Sequence, residues 1–213
     1  MSPARRLLLA AGACLLASLA IAIVVSTFGS PAFDRAIDVH AQSLRDGWFG
    51  DVMRTLTRWG YDLRYSVLVA IAAALLIVRR RPLGAAQVVV SVLLADVAFG
   101  ALKQVFQRPR PDIAAYHAGG WSMPSGHATL AFALAAALLL AEPRLRAWWG
   151  VLVLGAYASL TAFSRVVLGV HYPTDIVAGA LLGCACALLV AAGAEAVRRR
   201  PASLDQPVDP LLR

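Results

Sequence analysis

The chain has 213 residues, 60% apolar and 15% charged, with a formal net charge of +8. Soluble domains run at roughly 45–50% apolar and about 25% charged, so the composition argues against a water-soluble globule. A disordered chain needs low hydrophobicity, which this is not. The basic balance would suggest nucleic acid in a soluble protein, but here membrane topology accounts for most of the arginines.

Six apolar segments follow one another: Leu7–Phe28, Tyr61–Val78, Leu83–Phe106, Ser125–Ala141, Ala147–Phe163 and Pro173–Val197. A helix needs about 20 residues to cross ~30 Å of hydrocarbon. The segments are rich in Ala, Leu and Val without strict alternation, which favours helices over barrel strands. The fold class expected is all-α: a six-helix transmembrane bundle forming one domain over 1–200, with 201–213 a disordered cytoplasmic tail. The first segment follows Arg5 and Arg6 and exceeds a signal-peptide core of about 7–15 residues, so it reads as a retained helix.

Between the first two spans, Gly29–Gly60 balances Arg35, Arg45, Arg54 and Arg58 against Asp34, Asp38, Asp46 and Asp51. Phe33, Ile37, Leu44, Trp48, Phe49, Val52, Met53 and Leu56 recur there at loosely helical spacing, predicting one or two amphipathic helices on the outer surface. Arginines gather at Arg5–Arg6, Arg79–Arg81, Arg144–Arg146 and Arg198–Arg200. These clusters alternate with the other loops, so both termini are expected in the cytoplasm. Trp59, Tyr61, Trp148 and Trp149 suit the membrane interfaces. Cys14, Cys184 and Cys186 lie in apolar runs and read as small buried hydrophobes.

Polar residues placed against their own interest in such a chain mark function. Three clusters fall on the expected outer side. Lys103 to Pro111 closes the third span, where Pro109 and Pro111 force the chain out of the helix. Taken alone, its cations could simply complement a helix C-terminus. Trp121 to His127 precedes the fourth span; Ser125 can cap it, and free N–H groups there would suit an anion. A plain cap with an incidental His is the other reading. Ser164 to Asp175 joins the last two spans. Asp175 lies one turn after His171 and could hold one ring N–H, fixing the tautomer; a satisfied interfacial pair is the alternative.

In order and spacing these strings resemble the tripartite signature of the type 2 phosphatidic acid phosphatase superfamily. That family shows Lys, six residues, Arg-Pro; Pro-Ser-Gly-His; and Ser-Arg, five residues, His, three residues, Asp. Here they are Lys103 with Arg110-Pro111; Pro124-Ser125-Gly126-His127; and Ser164-Arg165 with His171 and Asp175. At about one in twenty per position, a chance match is on the order of 10⁻¹⁰ or lower.

The resemblance implies hydrolysis of a lipid phosphate monoester or diphosphate through a phosphohistidine at the outer face. Phosphatidic acid, phosphatidylglycerol phosphate and polyprenyl diphosphates are the substrate classes it suggests. Lys103, Arg110, Ser125, Gly126 and Arg165 are then phosphate-binding. His171 is the nucleophile, Asp175 its orienting carboxylate, and His127 the general acid and then base. The residues alone would allow the two histidines to exchange roles; the family pattern and the spacing to Asp175 decide between them. No metal and no cofactor are expected. The expected partners are the lipid phosphate substrate and membrane lipids, without nucleic acid. The chain looks bacterial, which places it in the inner or plasma membrane. Other readings are transfer to an acceptor other than water, a non-catalytic phospholipid binder or transporter, and the related vanadium haloperoxidases, which are soluble. Outside the signature, Arg108 reads as a contact to a headgroup or flanking phosphate. Asp96 reads as a buried carboxylate with a partner, His40 as a residue of the surface helix, and His117 as loop.

Overall fold

The computed structural model describes residues 1–116 and 118–199. His117 and the tail 201–213 lie outside the described residues. Among these the structure is all-helical: α1 (Pro3–Phe28), α2 (Ala32–Gln42), α3 (Gly47–Trp59), α4 (Asp62–Val78), α5 (Pro82–Phe106), α6 (Gly126–Ala141), a short 3-10 turn (Pro143–Arg146), α7 (Trp148–Val167) and α8 (Pro173–Arg198). Prolines set several of the starts: Pro3, Pro82 and Pro173 stand in first turns, where a missing N–H costs nothing. Helix α5 ends as Gln107 turns left-handed at φ 44°.

Four of these helices, α1, α5, α7 and α8, are long and apolar enough to cross a membrane alone. Helix α4 has 17 residues and joins α3 at a 65° bend. Helix α6 has 16 residues, about 24 Å at 1.5 Å per residue. The six-span expectation thus holds with two short members. The reason for α6 lies at its start: Ser122, Met123 and Ser125 are buried without being helical. Irregular backbone at depth is tolerated where protein surrounds it.

Helix α8 forms the centre, packed mainly on α1 and α6, with α5 and α7 closing around α6. The core interleaves larger side chains such as Leu130, Leu134 and Phe99 with small ones, among them Ala95, Ala133, Ala137, Ala187 and Cys186. Lipid tails are as apolar as these side chains, so tight backbone approach rather than water exclusion holds such helices together. Gly179 and Gly183 provide it. A Cβ on Gly179 would fall 2.6 Å from the Ser125 carbonyl, and one on Gly183 would strike Thr129 and Ala133 of α6. This contact fixes the start of α6 against the first turns of α8.

One expectation is corrected. Helix α7 does not stop near Phe163. It continues to Val167, so Ser164 and Arg165 stand on its last turn rather than in a connection. Helix α2 is amphipathic, as expected, and its polar side turns toward the bundle. Asp34 and Asp38 face inward at 0% and 1% exposure, while Phe33 and Ile37 point outward. An apolar outer face suits a helix lying in the membrane interface. Arg45 ties the α2–α3 corner down: its Nε donates to the Val167 carbonyl at 3.2 Å and its Nη2 to the Ile113 carbonyl at 2.9 Å.

Candidate active site

The signature residues converge at one end of the bundle. Lys103 continues the buried stripe of α5 (Val92, Ala95, Phe99) by one further turn. Its Nζ donates to the Trp121 carbonyl, and lies 3.4 Å from that of Ser122. Arg110 follows in the proline-bound loop. Its Nε and Nη2 donate to the Gly120 and Gly119 carbonyls at 3.0 and 2.9 Å. Its Nη1 donates to the Val170 carbonyl at 2.8 Å and lies 3.2 Å from His171 Nε2. Lys103 thus holds the segment before α6, and Arg110 closes the loop over His171.

His171 sits outside α8, two residues before its first turn, and is buried. Gly169, left-handed at φ +64°, turns the chain there, and a Cβ would meet the Ile113 carbonyl. His171 Nδ1 faces Asp175 Oδ2 at 3.4 Å, long for a hydrogen bond. The same Oδ2 accepts from the Tyr172 N–H at 2.9 Å and from the Ser122 hydroxyl. Asp175 therefore caps α8 while facing the His171 ring. With Nδ1–H turned to the carboxylate, Nε2 carries the lone pair toward Arg110. Burial holds the imidazole below its ordinary pKa, against the opposing pull of Asp175, so the neutral ring is favoured at neutral pH.

Ser125 begins α6 without capping it: its hydroxyl, fully buried, has no partner among the described residues. The N–H of Gly126 belongs to the free first turn of α6, and a Cβ there would press the Phe99 ring at 3.0 Å. Arg165 is 4% exposed. Its Nη1 donates to the Thr57 hydroxyl, and its Nε has no partner among the described residues. Buried polar groups are seldom left unpaired, and these two donors belong to residues predicted to bind phosphate. His127 stacks on Tyr61 at 5.1 Å between ring centres, and its Nε2 lies 3.1 Å from the Thr57 carbonyl. It is within electrostatic reach of Arg165, His171 and Arg110.

Three sequence expectations are changed here. Arg108 does not reach toward a phosphate. It is buried between two carboxylates, Nη2 on Asp34 at 2.9 Å and Nη1 on Asp175 at 2.5 Å. It also donates to Thr174 Oγ1 and Ser30 Oγ at 2.8 and 2.6 Å, and lies 4.0 Å over the Tyr172 ring. Asp96, expected buried and paired, is exposed on α5 and makes no hydrogen bond among the described residues. It falls one position past the buried Ala95, which turns it outward. The stretch 29–60, from which no site residue was expected, supplies both Asp34 and Thr57. Asp34 accepts from the Thr174 N–H at 3.0 Å and its hydroxyl at 2.6 Å, so α2 is fastened directly to the first turn of α8. The signal for Asp34 was its i, i+4 spacing to Asp38; Thr57 had none. His40 is exposed on α2, as expected.

Asp38 yields a pH prediction. Burial, then the charges of Asp34 and Asp175, push its carboxyl up to about 7, and neither oxygen has a partner among the described residues. The folded protein therefore keeps a proton that the unfolded chain has released. Stability conferred by the neutral acid is present at low pH and falls as pH rises from the ordinary carboxyl range through about 7. Asp38→Asn stays neutral throughout. The Tm advantage of Asp38→Asn over wild type should widen between pH 5 and pH 8 in thermal unfolding; a constant gap would contradict the assignment.

The chain is similar to known proteins. The model of the PAP2 superfamily matches residues 84–199. Phosphatidylglycerophosphatase B of Bacillus subtilis is 29% identical over 198 residues, covering 85% of this chain and 93% of its own. An undecaprenyl-diphosphatase of Sulfolobus acidocaldarius is 33% identical over 139 residues, covering 62% of this chain and 64% of its own. The crystal structure of a transmembrane PAP2-type phosphatidylglycerolphosphate phosphatase from Bacillus subtilis superposes with TM-score 0.77 at 28% identity, covering 90% of this chain and 98% of that one.

Proposed function

The chain belongs to the PAP2 superfamily as an integral membrane protein, and from that premise we propose that it is a lipid phosphate phosphatase working through a phosphohistidine. One observation carries the reading: the buried donors Ser125 Oγ and Arg165 Nε, without partners among the described residues, accompany an Arg110–His171 pair at 3.2 Å. Phosphoryl transfer asks chiefly for positioning and for charge stabilisation on the phosphoryl oxygens. Lys103, Arg110 and Arg165 supply the cations, with the Ser125 hydroxyl and Gly126 N–H completing the cradle.

In the first step His171 Nε2 forms a bond to phosphorus while the bond from phosphorus to the lipid oxygen breaks. His127 gives its proton to the departing oxygen. Water then attacks the phosphohistidine, its proton passing to His127. The P–N bond breaks, releasing phosphate and restoring neutral His171. Asp175 stabilises the ring while it carries charge. The names of the relatives suggest a lipid phosphate monoester or a polyprenyl diphosphate as substrate. The cations take the charge-neutralising role often given to a metal, and among the described residues His, Cys, Asp and Glu form no group of three suited to one. The arginine clusters favour cytoplasmic termini and an extracytoplasmic site in a bacterial inner membrane.

Phosphate release from a panel of phosphatidic acid, phosphatidylglycerol phosphate and undecaprenyl diphosphate tests this, with and without EDTA and with and without an alcohol acceptor. The expected outcome is release from at least one lipid, undiminished by EDTA and without transfer to the alcohol. No release from any, or loss with chelator, would contradict it.

A further inference from the structure

We infer that the end of the bundle opposite the catalytic groups carries a second anion site, built to hold a phosphate-bearing group. A cavity of about 320 Å³ opens there between α1, α5, α6 and α8, lined by Arg6, Gln87, Arg146, Glu195 and Arg198. Gln87 lies 16 residues before Lys103 on the same helix, about 24 Å away along its axis. The two sites are therefore separate.

Charge and geometry both point to an anion. Three guanidinium groups meet one carboxylate in this cavity. Glu195 is shared between Arg199, whose Nε donates to it at 2.7 Å, and Arg198, whose Nη1 stands off at 3.8 Å. Arg146 spends its Nε and Nη2 on the Leu139 and Leu140 carbonyls, each at 2.9 Å. Those bonds fix the plane of its guanidinium at the end of α6. The positive-inside tendency explains arginines at this end but not Gln87. Its side chain is 3% exposed, lines the cavity, and its amide nitrogen has no acceptor among the described residues. A buried N–H without a partner is costly, and turning the Gln87 amide toward the cavity would set it on a phosphate oxygen that also meets the guanidinium forks.

The phosphate can belong to an anionic lipid headgroup or to free phosphate, and the test separates these. The purified protein is placed in nanodiscs of phosphatidylcholine alone or with phosphatidylglycerol, in the Lys103→Ala background to suppress the catalytic pocket. Retained phosphatidylglycerol is counted by native mass spectrometry, and thermal stabilisation by inorganic phosphate is measured in parallel. Gln87→Leu, and Arg146→Gln with Arg198→Gln, should each weaken binding about tenfold or more, the scale of one lost charge-assisted hydrogen bond. Arg5→Gln with Arg79→Gln removes the same charge outside this cavity and should change it less than about twofold. Gln87→Glu, which keeps the shape and repels an anion, serves if Gln87→Leu folds poorly. Phosphatidylglycerol retention lost in the cavity variants assigns a headgroup; stabilisation by inorganic phosphate lost in them assigns free phosphate. Equal loss in the control pair, or no loss with either Gln87 variant, overturns the proposal.

Discussion

His171→Ala should lower phosphate release by about 10³-fold or more, while the protein still folds and still captures its lipid phosphate. The size follows from losing the nucleophile itself, with the remaining cradle giving only residual acceleration. Folding survives because Asp175 keeps its other partners: Arg108, the Ser122 hydroxyl and the Tyr172 N–H. Lipid capture survives because Lys103, Arg165 and Ser125 are untouched, and Arg110 retains its three carbonyl acceptors. Single-turnover release beside a lipid-binding measurement would read both. Equal loss of binding and turnover would make His171 a structural residue instead.

The second large effect concerns a residue outside the signature. Arg108→Met should destabilise the protein by about 3–5 kcal/mol, the usual cost of removing one partner from a buried ion pair. Asp34 and Asp175 are both 0% exposed, and one guanidinium serves both. Without it two buried carboxylates lack their counter-charge, and Asp175 beside His171 keeps only the Ser122 hydroxyl and the Tyr172 N–H on its far oxygen. At roughly 2–4 °C per kcal/mol for a chain of this size, Tm should drop by about 10 °C. Turnover should fall in kcat with little change in KM, because Arg108 lies behind Asp175 rather than among the phosphate-binding groups. Adding Asp34→Asn should restore part of the Tm and little of the kcat. A large rise in KM would instead restore Arg108 to the phosphate pocket.

The spans were legible because lipid leaves a strong mark: long apolar runs cut by arginines and prolines. Their ends were less so. Phe163 looked like an end because polar Ser164 and Arg165 follow, yet α7 runs on to Val167, since Arg165 is buried against Thr57 rather than in solvent. The signature residues were legible from spacing, and four of them lie next to one another here: Arg110 on His171, His171 on Asp175, and the Ser125 N–H donating to the Asp175 carbonyl at 3.0 Å. The supporting groups were not. Arg108 looks like any cation in a basic string; its role depends on Asp34, 74 positions earlier. The spacing of Phe33 and Ile37 marked an amphipathic helix, but not that α2 docks through Asp34 onto Arg108 and the Thr174 N–H. Thr57 reaches His127 and Arg165 only through the 65° bend between α3 and α4, and a bend between two amphipathic stretches has no one-dimensional sign.

Rapid alkaline quenching of the enzyme during turnover of a ³²P-labelled lipid phosphate, followed by mapping of the labelled peptide, tests the central claim most directly. An acid-labile phosphoryl group on His171 is expected, and none in His171→Ala. Label on Ser125 or Asp175, or full turnover with no labelled protein, would contradict the account.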